Sequence, residues 1–346
     1  MIQKIIYLLF SILIFSFSFL GCKYEIEENK KQLPNIVWLV AEDQSPEFFP
    51  IYGDSTVKLP IIESLAKDAI VFNNAYTPAP VCAPARSAII TGLYPTTLGT
   101  HNMRTYNSYK KENEPTIGIP SYSPIVPKGV KMFPQYLRKI GYYTSNNSKE
   151  DYNFKKTDGV WDDSSSNAHW KNRATGQPFF AVFNFGISHE SQIWEQGDND
   201  ILVDQKLVQI PPYFPDTHEI RKDIAVNYSN LIRLDKKIGK IINELKQEGL
   251  YEKSIIFFYS DHGGPFPRHK RSLYETGIKV PLVIKLPYSK YGGTKNNNFF
   301  SFIDYAPSIL SLAGIKPPDV MQGKAQFGKF KVNDKVPYIF AASDRF

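Results

Sequence analysis

Apolar segments of strand length alternate along this chain with segments of helical periodicity, and this alternation constrains the fold more than any other feature. Residues 34–40, 179–185 and 254–259 are short apolar runs, typical of strands buried on both faces. Residues 220–245 have the spacing of a long amphipathic helix. The pattern predicts an α/β fold around a mostly parallel central sheet flanked by helices, with functional residues at the carboxyl ends of the strands.

The remaining elements are shorter, and they are predicted from the same periodicities. Helices are expected over residues 60–69, 132–140 and 303–313, and strands over residues 142–144 and 280–284. Two segments rich in turn-forming residues are predicted to be long surface loops, over residues 107–128 and 158–176.

The composition indicates a folded protein that is mildly basic. Of the 346 residues, 42% are hydrophobic and 14% aromatic, which suffices for one large core or two unequal domains. The net charge of +7, from 41 Lys and Arg against 34 Asp and Glu, is spread along the chain. Because no nucleic-acid-binding motif accompanies this charge, we expect no nucleic-acid partner, and we expect the basic surface to attract anionic substrates.

The amino-terminal segment is predicted to be a signal peptide rather than part of the fold. Lys4 precedes an apolar run over residues 5–20, which stops at Gly21 and Cys22. A short transmembrane helix is the alternative, but the run barely reaches the length of a bilayer and lacks a stop-transfer flank. Residues 1–21 are therefore expected to be absent from a mature, exported protein.

The four residues FLGC that end this segment resemble a bacterial lipobox, with Phe19 in place of the usual Leu. The resemblance implies a lipidated Cys22, a polar tether over residues 22–33, and a periplasmic or cell-surface lipoprotein held at the membrane by its lipid anchor. A disulfide between the two cysteines, Cys22 and Cys82, is the alternative in an exported chain. If Cys22 carries lipid, Cys82 is an unpaired thiol in an oxidising compartment.

The most informative segment for chemistry is VCAPARSAIITG, over residues 81–92. Pro84 suits the first turn of a helix and Gly92 its end, so Cys82 is expected at a helix amino terminus, where backbone N–H groups favour anions. Arg86 lies on the same first turn. A nucleophile, a helix dipole and a guanidinium together suit a tetrahedral oxyanion such as sulfate or phosphate. A buried cysteine packed as a small hydrophobe is the alternative.

This segment resembles the signature of the type I sulfatases, C-x-P-x-R followed by T-G. In that family a maturase oxidises the cysteine to formylglycine, whose hydrate attacks sulfur. The resemblance implies an alkaline-phosphatase-like sulfatase domain over residues 34–346, a formylglycine derived from Cys82 as cofactor, and a formylglycine-generating maturase as partner. The family usually closes with a small carboxyl-terminal domain, which is expected to be missing or incomplete here.

The resemblance also implies a calcium site. Glu42 and Asp43 stand where the family has paired acids that bind calcium, with Glu in the first place as a departure. Asp261 and His262, in DHGG, resemble the second metal pair, although a plain strand-to-loop turn is the alternative. Nitrogen is a poor ligand for calcium, so a contact between His262 and substrate sulfate is a further alternative. Cys82 completes the implied metal-binding set.

Other residues match the family by position. Lys149, in NNSKEDYN, and Lys270, in KRSLYE, match lysines that contact sulfate. His189, in ISHE, matches a histidine near the leaving-group oxygen. A second histidine often follows the first lysine by two residues, where Asp151 stands here, so His189 alone is expected to transfer the proton. The candidate substrate-binding residues, in THNMR, are His101 and Arg104.

The reaction implied by the resemblance is covalent catalysis on sulfur. Arg86 and calcium stabilise the nucleophile, the two lysines neutralise the sulfate oxygens, and His189 protonates the departing group. The motifs look most like those of bacterial heparan N-sulfatases, so the expected substrate is a sulfated glycan with N-sulfated glucosamine of heparan type. The alternatives are a phosphoesterase or phosphonate hydrolase of the same superfamily, and an inactive surface lipoprotein that binds glycan.

Overall fold

The structure is a computed structural model that describes residues 33–104, 122–197, 199–333 and 337–343. The chain divides into two units, residues 1–33 and residues 34–346, and every element given below belongs to the second unit. The predicted signal peptide, Cys22 and most of the predicted loop over residues 107–128 lie outside the described residues. Within the described ranges, no helix is long and apolar enough to span a membrane.

The strands of this unit are short, and most of them are apolar. They are β1 (Asn35–Ala41), β2 (Ile70–Phe72), β3 (Ala75–Tyr76), β4 (Tyr143–Asn147), β5 (Asp163–Ser164), β6 (Phe179–Phe185), β7 (Ser254–Ser260), β8 (Leu282–Lys285), β9 (Thr294–Asn296) and β10 (Phe300–Ser301). All except β3 and β10 form one eight-stranded sheet in the order β5-β4-β6-β1-β7-β8-β2-β9, and β10 pairs with β3.

The large sheet is mostly parallel, which confirms the predicted architecture. The central strand β1 pairs in parallel with β6 and β7, so that Ala41 is level with Phe185 and with Ser260. The strand β4 continues the parallel order beside β6, whereas β8 is antiparallel to both β7 and β2. Because β1, β6 and β7 are parallel neighbours, the chain leaves all three at the same edge of the sheet.

The helices are α1 (Pro60–Lys67), α2 (Cys82–Thr91), α3 (Pro95–Leu98), α4 (Pro134–Lys139), α5 (Ser191–Glu195), α6 (His218–Gln247), α7 (Glu275–Ile278) and α8 (Tyr305–Leu312). The long helix α6 begins after Thr217, whose side chain accepts the N–H of Ile220 at 3.4 Å and so satisfies one of the free donors of the first turn. Its apolar positions recur at the spacing of one buried face, as the sequence predicts.

The core lies on both faces of β1. Val37 and Leu39 face one side, where they join a buried cluster with Leu231 and Ile238 of α6. Trp38 faces the other side, and its ring packs edge-on against Tyr305 of α8, with centroids 5.7 Å apart. Alternate side chains of a strand point to opposite faces, so burial on both faces explains the continuous apolar run of this strand.

Among the departures of the structure from the predicted elements, two concern the large sheet. Within the predicted surface loop over residues 158–176, β5 pairs with β4, and Trp170 is fully buried with its Nε1 donating to Glu248 Oε2 at 3.0 Å. This segment is therefore anchored to the sheet and to the end of α6. The pattern also fails to predict β2 and β9, because strands of three residues are too short to show a period.

Candidate active site

The candidate active site lies at the carboxyl edge of the sheet. Glu42 and Asp43 directly follow β1, and Asp261 and His262 directly follow its parallel neighbour β7. All four side chains are buried. The Asp43 N–H donates to Asp261 Oδ1 at 3.2 Å, which ties the two segments together. The parallel order that the sequence predicts therefore brings both acidic pairs into one pocket.

Cys82 enters the same pocket from the amino terminus of α2. Its thiol is free and buried, and Sγ lies 3.3 Å from His262 Nε2. Gly92 ends the helix with a φ of 72°, a conformation that strains residues with a Cβ. The helix ends where the sequence predicts, but it begins at Cys82, so Arg86 falls on its second turn and not on its first. The N–H groups of the first turn lie at the pocket.

The charges around Cys82 favour its thiolate form. Burial raises the pKa of the thiol, but the cations Lys149, Lys270 and His262 lower it, and the resulting pKa is about 7. An oxygen nucleophile or a sulfate at this position would be stabilised by the same positive charge.

Arg86, on the second turn of α2, connects the pocket to the sheet. Its Nε donates to Asp261 Oδ2 at 3.1 Å, and one terminal nitrogen donates to Asn184 Oδ1 at 2.7 Å. The other terminal nitrogen lies 3.7 Å from Glu42 Oε1. Burial lowers the pKa of Arg86, but Asp261 and Glu42 raise it above its usual value, so the guanidinium is charged.

Four buried groups of this pocket could hold a metal ion. Ligand atoms of Asp43, Cys82, Asp261 and His262 lie within 4.8 Å of one another. His262 Nε2 is 3.0 Å from Asp43 Oδ1 and 3.8 Å from Asp261 Oδ1. Two carboxylates buried this close together are costly unless positive charge neutralises them.

Neighbouring cations keep both aspartates ionised. Burial raises the pKa of Asp261, but His262 and Arg86 lower it to about 2. Burial also raises the pKa of Asp43, but His262 and Lys270 hold it well below its usual value. Burial lowers the pKa of His262, but the two aspartates raise it to about 10. The two carboxylates therefore favour the positively charged form of His262, which lies between them.

The residues of this pocket fit a divalent cation. Asp43 Oδ1 is buried and accepts no hydrogen bond of good geometry from the described residues, although His262 Nε2 is near it. The carboxylates of Asp43 and Asp261 are the hard oxygen ligands that calcium prefers, whereas the nitrogen of His262 suits it poorly. A cation held by the two aspartates would supply the positive charge that His262 supplies in this arrangement.

The Glu42 carboxylate lies beside this metal-binding group. Its Oε2 is 2.6 Å from Lys149 Nζ, while Oε1 faces Arg86. The structure thus places the predicted metal ligand Glu42 in contact with the predicted sulfate ligand Lys149. Lys149 lines an open cavity together with Arg86, Asn184 and Tyr259. A role of Glu42 as a metal ligand stays a prediction.

Lys270 and His189 meet at Asp43. Lys270 Nζ donates to Asp43 Oδ2 at 2.7 Å and lies 3.2 Å from His189 Nε2. The Ser191 N–H donates to His189 Nδ1 at 3.1 Å, which fixes the orientation of the ring. Burial lowers the pKa of His189, but Cys82 and Asp43 raise it above its usual value. A histidine with a raised pKa at the pocket can hold a proton for a leaving group.

The sequence motifs do not identify Glu190 as a functional residue. Its carboxylate accepts hydrogen bonds from both terminal nitrogens of Arg271, at 2.6 and 2.8 Å, and lies 3.0 Å from Lys270 Nζ. Its backbone N–H donates to Asp43 Oδ2 at 2.7 Å. Because Glu190 follows His189 directly, these contacts join the histidine loop to the lysine loop.

Asn184 is a second residue that the motifs miss. Its Oδ1 accepts from Arg86, and its Nδ2 donates to the carbonyl oxygen of Asn147 at 3.0 Å. The sequence does contain a signal for it, since Asn184 is a polar residue near the carboxyl end of the otherwise apolar strand β6.

The predicted substrate-binding residues lie in the segment that precedes residue 105. Arg104 is partly exposed, and one of its terminal nitrogens donates to Asp151 Oδ2 at 3.1 Å. His101 is partly buried. Asn153 Nδ2 donates to the carbonyl oxygen of Thr100 at 2.8 Å, which attaches this segment to the loop that carries Lys149.

Together, the sheet and the pocket at its carboxyl edge define an alkaline-phosphatase-like α/β protein with a free buried cysteine at a helix amino terminus beside buried carboxylates. The chain belongs to the Sulfatase family, whose family model matches residues 34–315. The resemblance drawn from the segment CAPAR is thereby confirmed.

Curated relatives of this chain are named as sulfatases. An ulvan-active sulfatase of Formosa agariphila is 41% identical over 348 residues, which cover 90% of this chain and 57% of that protein. The human N-sulphoglucosamine sulphohydrolase is 27% identical, over 82% of this chain and 61% of that protein. The chain therefore spans somewhat more than half the length of these relatives.

Solved structures share the fold. A Bacteroides thetaiotaomicron protein of glycosaminoglycan metabolism has a TM-score of 0.66 at 18% identity, covering 88% of this chain and 78% of that one. A phosphonate monoester hydrolase from Silicibacter pomeroyi has a TM-score of 0.60 at 16% identity, covering 84% and 75%. At these identities the likeness establishes the fold alone, and it confirms the predicted alkaline-phosphatase-like sulfatase core.

Proposed function

We propose that this chain is a sulfatase that releases sulfate from a sulfated polysaccharide. The observation that carries the proposal is the position of Cys82, buried at a helix amino terminus with three cationic groups lowering the pKa of its thiol. Such a pocket stabilises a tetrahedral anion and the nucleophile that attacks it. Membership of the Sulfatase family supports sulfur as the centre attacked.

The nucleophile is proposed to be a formylglycine, formed from Cys82 by a maturase. Cys82 is a free thiol, and it stands within the family's signature segment. The modified residue would supply a hydrated aldehyde oxygen as the nucleophile, and re-formation of the aldehyde would release the sulfate.

The other residues of the pocket would bind sulfate and supply the proton. The charged guanidinium of Arg86 stabilises negative charge beside position 82. The ammonium groups of Lys149 and Lys270 neutralise the sulfate oxygens that take no part in bond breaking. His189 would donate a proton to the departing atom, a contribution of roughly a hundredfold to ten-thousandfold in rate.

Asp43 and Asp261 are proposed to hold a calcium ion, with Glu42 as a further ligand and His262 beside it. A cation held there would polarise a sulfate oxygen. The support for this role is the buried pair of aspartates, of which Asp43 Oδ1 lacks a well-directed donor among the described residues.

The substrate class is proposed from the relatives and from charge. The relative of 41% identity is named as active on ulvan, so ulvan is the first candidate substrate. N-sulfated glucosamine of heparan type, which the sequence resemblance predicts, is the second candidate, and the human sulphohydrolase supports it at 27% identity. A net charge of +7 suits either polyanion.

The proposal is tested with protein produced together with a formylglycine-generating maturase. Conversion of Cys82 is measured by peptide mass and by reaction of the aldehyde with a hydrazide. Sulfate release is then measured from ulvan, from glucosamines sulfated at nitrogen or at single oxygens, and from an aryl sulfate. We expect release that disappears in Cys82→Ala.

Two outcomes would contradict the proposal. Release of phosphate or phosphonate from aryl esters, without release of sulfate, would establish the phosphoesterase alternative. Binding of ulvan without any turnover, by protein whose Cys82 is fully converted, would establish the glycan-binding alternative.

A further inference from the structure

We propose that Arg268, stacked on Tyr213 and Tyr274, forms a second anion-binding subsite, which holds a sulfate or carboxylate group on a sugar next to the one being hydrolysed. The inference rests on the proposed function, because it assigns a further contact to the same polysaccharide. Tyr274 stands in the segment KRSLYE, but the sequence motifs assign no role to Arg268 or to either tyrosine.

The guanidinium of Arg268 lies over two tyrosine rings. Its central carbon lies 4.9 Å from the ring centroid of Tyr213 and 4.7 Å from that of Tyr274. Cation–π stacking of this kind occupies the faces of a guanidinium and leaves the N–H groups at its edge available for hydrogen bonds. A guanidinium edge donates two parallel bonds to a sulfate or a carboxylate.

Arg268 and its neighbour Arg271 differ in their ionic partners. Within the described part of the chain, Arg268 forms no ion pair, whereas Arg271, three positions along, is bound at both terminal nitrogens by Glu190. Arg268 is also exposed, and Tyr274 is 56% exposed. An ordered surface cation that none of the described acids neutralises is available to an anionic ligand.

The backbone at Arg268 is held in a specific and costly conformation. Its φ is 67°, in the left-handed region, which costs a residue with a Cβ about 1 kcal/mol. The carbonyl oxygen of Arg268 accepts a hydrogen bond from Thr276 Oγ1 at 2.5 Å, and this bond helps to fix the turn. The turn fixes the direction in which the side chain leaves the backbone, and the two tyrosine rings lie beside its guanidinium.

Arg268 is close in the protein sequence to Lys270, a lysine of the candidate active site. Arg268 precedes Lys270 by two residues, so their Cα atoms are at most about 7 Å apart. Lys270 Nζ reaches into the pocket to Asp43. With a sulfate at Lys270, a charged group on an adjoining sugar is the part of a polymeric substrate that Arg268 would bind.

The experiment compares a polymeric substrate with one too small to reach both positions. Arg268→Met and Arg268→Lys are assayed on ulvan and on 4-nitrophenyl sulfate. We expect Arg268→Met to raise KM for ulvan roughly tenfold, the equivalent of one charge-assisted hydrogen bond, and to leave kcat/KM for the aryl sulfate within about twofold. Arg268→Lys keeps the charge but not the paired N–H donors of the guanidinium. We expect its KM for ulvan to lie between those of the wild type and Arg268→Met.

A matched control is Lys290→Met. Lys290 is an exposed cation over the ring of Tyr291, at 5.1 Å, and it follows β8 at the edge of the sheet where β7 begins, away from the pocket. Lys290→Met removes the same charge and a cation–π contact with one ring, and we expect it to leave the kinetics on both substrates unaffected. An equal loss in ulvan KM for the control would overturn the subsite.

Two further outcomes also test the proposed subsite at Arg268. An equal fall of Arg268→Met activity on both substrates would show that Arg268 only holds the loop in place. If the wild-type protein hydrolyses neither substrate, the proposed function fails, and the subsite is judged by calorimetry alone. In that case unchanged affinity for ulvan oligosaccharides in Arg268→Met would overturn it, and a roughly tenfold loss would support it.

Discussion

The ammonium of Lys149 lies 2.6 Å from the carboxylate of Glu42, so a lysine expected to bind sulfate is paired with an acid expected to bind calcium. The contact joins residues 107 positions apart in the sequence. The charge of Glu42 therefore lies between the buried aspartates and the cavity that Lys149 lines.

Substitution of Glu42 by Gln separates these two roles. If Glu42 is a calcium ligand in the loaded protein, Glu42→Gln should raise the calcium concentration for half-maximal activity at least about tenfold. Calcium titrations of both proteins, with KM determined at saturating calcium, measure this. A changed KM with an unchanged calcium midpoint would show that Glu42 acts through its ion pair with Lys149 and not as a calcium ligand.

Chelation should destabilise the protein, because an ion bound only by the folded state adds to the free energy of unfolding. At a calcium concentration of a hundred times its Kd the contribution is about 3 kcal/mol, which a thermal melt detects. Asp261→Asn should lose the calcium-dependent shift in Tm. Asp304→Asn, a buried aspartate outside the pocket, should keep it. A melt that calcium leaves unchanged in the wild type would refute the metal assignment.

His189→Ala should slow poor leaving groups most. Since His189 is the proposed proton donor, we expect a loss of about a hundredfold or more in kcat for a sugar sulfate, and a much smaller loss for a 4-nitrophenyl leaving group, which departs without a proton. A series of aryl sulfates with increasing leaving-group pKa measures the difference. Equal losses across the series would show that His189 acts only in binding or in holding the loop.

Titration of His269 should make the free energy of unfolding depend on pH. Burial lowers the pKa of His269 from 6.5 to about 4, and its ring lies 3.2 Å from Ser45 Oγ and 3.0 Å from the Tyr213 hydroxyl. Between these two pKa values the histidine is protonated in the unfolded chain and neutral in the folded chain. The free energy of unfolding therefore falls as the pH falls from 6.5 towards 4.

The contribution of His269 is about 3 kcal/mol, present in full above the unfolded pKa. Urea unfolding between these pH values, for the wild type and His269→Gln, measures it. Glu47, whose pKa is raised to about 6 by burial, acts in the opposite direction and its Oε1 lies 3.4 Å from His269 Nε2, so both proteins are also compared in a Glu47→Gln background. If the free energies of unfolding of the two proteins had the same dependence on pH, His269 would not be the cause of that dependence.

Cys22→Ser tests the predicted lipid anchor, which lies outside the described residues. In a bacterial host we expect the wild-type chain to lose residues 1–21 and to partition with membranes. The variant should remain unprocessed or be released. Equal distribution of both proteins between membrane and soluble fractions would count against lipidation of Cys22.

The sequence by itself determined the order of elements and most of the pocket. Apolar runs such as those of β1 and β7 can be recognised in the sequence, because a strand that is buried on both faces does not alternate apolar with polar side chains. Cys82 and Arg86 are identified by a local signature, and the acids after β1 and β7 by their place after strands. Since parallel strands end at one edge, these positions converge whatever the details of packing.

Only the tertiary structure decided which side chains pair within that pocket. The contacts of Lys149 with Glu42 and of Glu190 with Lys270 and Arg271 join distant segments, and the stacking of Arg268 on Tyr213 does the same. Periodicity specifies which residues are buried, but the partner of a charged side chain depends on loop conformation and on the balance between burial and neighbouring charge. That balance exists only once the chain is folded.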